Sequence, residues 1–234
     1  MRIVNRLAPL FALLALAACS REAPPAQSAP PPAPAPAAPA PVRAPESTRP
    51  TIVFLGDSLT AGLGLEEGDA YPALVGEALA ARGLPVRVVN AGVSGDTTAG
   101  GLARLDWLLT QKPAVVVVAL GANDGLRAQP LPAIEATLRE IVQRAKAAGA
   151  RVLLAGMRMP PNYGPEYTRD FEAIYPRLAK ELAVPLLPFL LEGVAADPKL
   201  NQPDGIHPTA EGQKRIAAIV EPALEPIVRE ALAR

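Results

Sequence analysis

Residues 114 to 120 read AVVVVAL, and no polar side chain interrupts the run. A strand with one wet face alternates apolar and polar positions, so a strand of this composition is covered on both faces. That places it in the middle of a parallel sheet, with helices above and below. The chain around it agrees. After Pro50, apolar β-branched runs alternate with stretches rich in Ala and Leu. Strands are expected at 51–56, 86–90, 115–120, 151–156 and 184–187, and helices at 71–82, 98–110, 131–148, 166–182 and 208–232. Right-handed βα crossovers turn this into an α/β fold, a three-layer sandwich around a central parallel sheet of about five strands. In such a sheet the ligand crevice lies outside the carboxyl ends of the strands.

The first fifty residues belong to something else. MRIVNRLAPLFALLALAACS opens with Arg2 and Arg6, continues with an apolar run broken only by Pro9, and closes on small residues before Cys19. Residues 1–18 therefore read as a secretory signal peptide, too short to span a bilayer. Leu16 to Cys19, LAAC, resembles the lipobox of bacterial lipoproteins, which implies cleavage before Cys19, a lipid on its sulfur and, with Ser20 rather than Asp next, an outer-membrane address. The expected location is the periplasmic side of the cell envelope. The plainer alternative is an ordinary signal cut at an A-x-A site. From Ala23 to Pro50 the chain holds 11 of its 28 prolines and, apart from Val42, no large apolar residue. Such a segment buries no core, and at about 3.1 Å per residue in polyproline geometry it reaches roughly 90 Å. Residues 19–50 are thus a tether, and 51–234 one folded domain.

Charge and cysteine usage narrow the class further. Of 23 basic and 23 acidic residues, five basic and two acidic fall in the first fifty, which leaves the remainder with a formal charge of −3. A nucleic-acid binder requires the opposite bias. Cys19 is the single cysteine, so no internal disulfide is available. The glycine-rich NAGVSGDTTAGG, residues 90 to 101, matches neither the P-loop nor the dinucleotide fingerprint.

Four short blocks fall just beyond expected strand ends or helix starts: Ser58 in FLGDSLTAG, Gly95 in VSGDT, Asn123 in GANDG, and Asp204 with His207 in DGIHP. A serine hydroxyl needs a base to become a nucleophile, and His207 is the one histidine of the chain. Asp204, three residues earlier, is placed to accept from the other ring nitrogen and fix the tautomer. The N–H groups of Ser58 and Gly95 and the side-chain amide of Asn123 supply three donors for an oxyanion hole. Each block also has an ordinary reading: Asp57 or Ser58 as a helix cap, Gly95 as a positive-φ position, Asn123 to Gly125 as a turn, Asp204 to Pro208 as a helix start. Ser94 is a rival nucleophile, but Asp96 stands where G-x-S-x-G requires glycine.

On these blocks the chain resembles the SGNH (GDSL) hydrolases, named for a Ser, Gly, Asn and His in this order, here Ser58, Gly95, Asn123 and His207. The similarity spans nearly all of residues 51 to 230. The wording of FLGDSLTAG, NAGVSGDTTAGG, ALGANDGLR, GMRMPPNYGPEY and DGIHPTAEGQ is similar to the arylesterase branch of that family. The resemblance implies a flavodoxin-like fold, a Ser58–His207–Asp204 triad, no metal or organic cofactor, and a small-molecule or lipid ester as substrate. Arylesterase, lysophospholipase and acyl thioesterase activities follow from it, as does a mobile segment over residues 123 to 130 beside the acyl groove. A monomer, attached to a membrane through its N-terminal lipid, is expected. Two rival readings are an acetyl esterase of the same fold acting on cell-wall glycans and a non-catalytic binding module of the envelope.

Overall fold

The structure, a computed structural model, describes residues 49–233. The signal peptide, Cys19 and nearly all of the tether lie outside the described residues. Five strands, β1 (Thr51–Gly56), β2 (Arg87–Gly92), β3 (Val115–Ala119), β4 (Arg151–Ala155) and β5 (Leu186–Leu187), form one sheet in the order β2-β1-β3-β4-β5. Every pairing in it is parallel. β1 and β3 are buried at every position, as the unbroken valine run requires. The chain steps from β1 to β2 in one direction and then crosses β1 to reach β3. This flavodoxin-like order has its switch point at β1, where a crevice opens at the carboxyl ends of the strands.

Eight helices complete the domain: α1 (Ser58–Ala61), α2 (Tyr71–Ala81), α3 (Thr98–Leu109), α4 (Ala122–Leu126), α5 (Leu131–Ala147), α6 (Pro165–Glu172), α7 (Ile174–Leu182) and α8 (Ala210–Leu232). α2 packs against α8 in one layer, while α3, α5 and α7 pack side by side in the other. This partition follows from crossover handedness: the step to β2 runs opposite to the steps to β3, β4 and β5, so its helix falls on the opposite face.

Most expected elements are present within two residues of their expected ends, and the departures have local causes. The helix expected over 166–182 is two helices, divided at Ala173. Pro176 cannot donate to the carbonyl of Glu172, so a new helix starts, with the proline in its first turn, where no N–H is needed. The strand expected over 184–187 contracts to Leu186–Leu187, because Pro185 and Pro188 flank it on the sheet edge and neither can donate to a ladder. α8 begins at Ala210 instead of 208, where the Thr209 side chain accepts from the Gly212 N–H at 3.2 Å. Thr209→Ala should cost about 1 kcal/mol, read as a fall of roughly 3 °C in the thermal midpoint; no change in either would show that the cap contributes nothing.

Two short helices were not expected. α1 is capped by Asp57 at its start and closed by Gly62 in the left-handed region, φ 72°. α4 starts after Gly121, φ 111°. A Cβ on Gly121 would stand 2.4 Å from the Tyr175 hydroxyl, so both the backbone angle and the space demand glycine there.

Candidate active site

The carboxyl ends of β1, β2 and β3 release the chain into three loops that carry Ser58, Gly95 and Asn123. Ser58 is the first residue of α1, directly after the Asp57 cap, and is buried. The turn is tight because α1 lies against β2: a Cβ on Gly92 would come within 2.2 Å of the Ala61 nitrogen. Gly95 sits at φ 80° in the loop before α3, a conformation that side chains other than glycine rarely adopt. Asn123 lies in α4, and its Nδ2 is 3.4 Å from Asp57 Oδ2.

The histidine arrives from the other end of the chain. Residues 201 to 208 form a closed loop: Asn201 bridges Pro208, and the Gln202 backbone N–H donates to the His207 carbonyl at 2.7 Å. The Gln202 side chain donates to the carbonyls of Leu63 and Pro208, tying this loop to the one after α1. Gln213, buried on α8, accepts from the Tyr71 N–H and donates to the Leu59 carbonyl, which fixes α8 against α1 and α2. His207 Nε2 then lies 2.8 Å from Ser58 Oγ, and His207 Nδ1 lies 2.7 Å from Asp204 Oδ2.

The donors in this chain can be assigned. Asp204 Oδ1 accepts the backbone N–H groups of His207 and Ile206, at 3.0 and 2.9 Å. These bonds, with that to the imidazole, hold its carboxyl down at about 2. It is ionised at neutral pH and accepts only, so Nδ1 carries a proton and Nε2 is left to accept from Ser58. The arrangement can therefore take the serine proton onto an imidazole whose second nitrogen faces an anion. Ser94, the rival nucleophile, is exposed on the loop before Gly95, and the imidazole engages Ser58 instead.

Residues that the sequence reading left aside hold these loops in place. Asp124, buried beside Asn123, accepts from the Thr98 hydroxyl at 2.7 Å and the Thr98 N–H at 2.9 Å, which joins the starts of α3 and α4. Arg104 donates to Asp96 and to the Gly56 carbonyl. Arg127 donates to the Gly95 carbonyl at 3.0 Å, reaching from the β3 side to the β2 side past the end of β1. A carboxylate one step from an asparagine in GANDG was a sequence signal for Asp124; nothing local in sequence pairs it with Thr98.

Asp57 is the electrostatic exception. Burial pushes its carboxyl up to about 6, against the Leu59 N–H and the nearby His207, which both favour the anion. Since the folded state prefers the protonated form, this contribution to stability is complete below about pH 4 and is lost as the pH rises through about 6. The displacement from 3.8 amounts to on the order of 3 kcal/mol. Asp57→Asn cannot ionise, so it should gain stability relative to wild type between pH 4 and 7.5 in urea unfolding. Parallel losses in both proteins across that range would refute the assignment.

A cavity of about 540 Å³, lined by Lys146, Arg151, Val184, Pro226 and Glu230 among others, opens at the amino ends of β4 and β5, the edge opposite Ser58. Arg151 and Glu230, both in its lining, form an ion pair. Among the described residues no group of three or more His, Cys, Asp or Glu side chains forms a cation site.

The model of the GDSL-like lipase/acylhydrolase family matches residues 54–215, from the strand before Ser58 to beyond His207. The chain belongs to that family. This GDSL hydrolase is 46% identical over 179 residues to the esterase TesA of Pseudomonas aeruginosa, covering 76% of this chain and 89% of that one. It is 48% identical over 179 residues to thioesterase 1/protease 1/lysophospholipase L1 of Escherichia coli K12, covering 76% and 85%. The crystal structure of TesA superposes with a TM-score of 0.74 at 46% identity, covering 76% of the GDSL hydrolase and 99% of TesA. The residues between the matched ends include all five blocks on which the resemblance rested.

Proposed function

We propose that this chain is a serine esterase that cleaves acyl and aryl esters, lysophospholipids and acyl thioesters through Ser58, His207 and Asp204. The contact that carries the reading is the 2.8 Å approach of His207 Nε2 to Ser58 Oγ. As His207 Nε2 removes its proton, Ser58 Oγ attacks the acyl carbonyl carbon. The N–H groups of Ser58 and Gly95 and the Asn123 amide receive the resulting oxyanion. The tetrahedral adduct collapses, and His207 delivers the proton to the leaving alcohol or thiol, while the acyl group stays on Ser58. Water then repeats the sequence: His207 takes its proton, the hydroxyl adds to the acyl-enzyme, and Ser58 leaves with the proton restored.

An acyl substrate is favoured over a glycan by the rim. Leu63, Val93 and Ile206, each 42 to 49% exposed, stand on the loops that carry Ser58, Gly95 and His207. Apolar side chains at this exposure suit a hydrocarbon chain. An alkyl fluorophosphonate should add one phosphonyl group to the protein, at Ser58, and a panel of p-nitrophenyl esters against acetylated sugars should favour the esters. Labelling elsewhere, or preference for the sugars, would overturn the proposal.

The address of the enzyme is part of the same reading. Arg2, Arg6, the apolar run and LAAC support a signal peptide over 1–18 and a lipid on Cys19, and the proline-rich tether supports display of the catalytic domain, 51–234, from the periplasmic face of the outer membrane. Several acyl chains at roughly 0.8 kcal/mol per buried methylene make such attachment stable, where one chain is marginal. Cys19→Ser should move the activity from the membrane to the soluble fraction; unchanged fractionation would refute the anchor.

A further inference from the structure

α4, the helix that carries Asn123, is five residues long. A helix of one turn has little persistence of its own, and its last carbonyls have no intrahelical partner. Tyrosine hydroxyls from the GMRMPPNYGPEY segment meet carbonyls at this end of α4 and in the turn after it. Tyr163 donates to the Leu126 carbonyl at 2.8 Å. The Tyr167 hydroxyl stands 3.2 Å from the Gln129 carbonyl and 3.4 Å from that of Gly125, with one proton to share between them. On the amino-terminal side of α4, Tyr175 donates to the Leu120 carbonyl at 3.0 Å.

These tyrosines belong to one column. Tyr163, Tyr167, Phe171 and Tyr175 recur at every fourth position, and their ring centroids are successively 6.3, 6.4 and 5.7 Å apart. Phe171, which lacks a hydroxyl, fills space instead: a Cβ on Gly125 would lie 2.8 Å from its ring. Phe171 and Tyr175 are buried in the core, whereas Tyr163 and Tyr167 are half-buried at its edge. The rigid end of the column rests in the core, and the outer end grips the carbonyls of α4 and the turn after it.

We propose that Tyr163 and Tyr167 are positioning residues for Asn123: their hydroxyls pin α4 so that the Asn123 amide is held where the oxyanion develops. The proposal rests on the reading of Asn123 as an oxyanion donor. Without the two hydroxyls the column still stacks, but the carbonyls of Leu126 and Gln129 turn to water, that of Gly125 keeps the Ala128 N–H, and the amide loses its fixed location. Misplacement of a catalytic group by about 1 Å costs up to a hundredfold in rate.

The test is Tyr163→Phe and Tyr167→Phe, singly and together, which remove the hydroxyls and keep the rings. For a short p-nitrophenyl ester the double variant should lose roughly tenfold to a hundredfold in kcat, with little change in KM and faster exchange of the amides of residues 126–129. In an Asn123→Ala background the same pair should leave kcat almost unchanged, because the group they position is gone. Full kcat in the double variant, or an equal loss in both backgrounds, would overturn the proposal while leaving the oxyanion reading intact. Full kcat in Asn123→Ala alone would remove that reading and this proposal with it.

Discussion

Ser58→Ala should reduce hydrolysis of a short p-nitrophenyl ester by roughly a millionfold, the scale of losing a triad nucleophile. The fold should be unaffected, since the change removes one oxygen from a residue whose backbone α1 already fixes. His207→Ala should cost about as much, and the double variant no more than either, because nucleophile and base act in one proton transfer. Asp204→Asn should be milder, about ten-thousandfold, since an imidazole in the wrong tautomer still leaves a base present. Steady-state kinetics on the four proteins check this pattern. Appreciable turnover by Ser58→Ala would dismiss it as nucleophile, and independent, multiplying losses would separate it from His207.

Asn123→Ala carries the next largest effect. Removing one preorganised oxyanion donor costs about 3 to 4 kcal/mol of transition-state stabilisation, or about 10² to 10³ in kcat. The amide Nδ2 lies 3.4 Å from Asp57 Oδ2, which accepts from it when the carboxyl is ionised, so above about pH 6 the donor end is the one turned towards Asp57. KM should barely change, because the ester carbonyl carries little charge before attack. A rise in KM at constant kcat would instead make Asn123 a ground-state contact.

The alternation of strands and helices around a parallel sheet could be read from residues because buried parallel strands and amphipathic helices leave different periodicities, and AVVVVAL left no room for a wet face. The four blocks were legible for a related reason: chemistry demands particular residue types at strand ends, whatever fills the intervals. What escaped was set by contacts distant in sequence or shorter than a period. α1 and α4, at four and five residues, show no repeat to detect. The division at Ala173 was written in Pro176, but the apolar spacing on both sides runs through it. The Asp124–Thr98 bond and the tyrosine grip on α4 join residues 26 to 42 positions apart. Glycine at 121 likewise answers to a hydroxyl at 175.

His207 stands 149 residues after Ser58, on a loop that Gln202 and Gln213 fasten to the first turns of the domain. Under the proposed mechanism, a chain interrupted between residues 123 and 207 possesses an attacking group and the means to receive negative charge, yet nothing to abstract a hydrogen ion. Turnover by that mechanism thus reports completion: only after the terminal helix has docked against α1 and α2 does the polypeptide acquire reactivity.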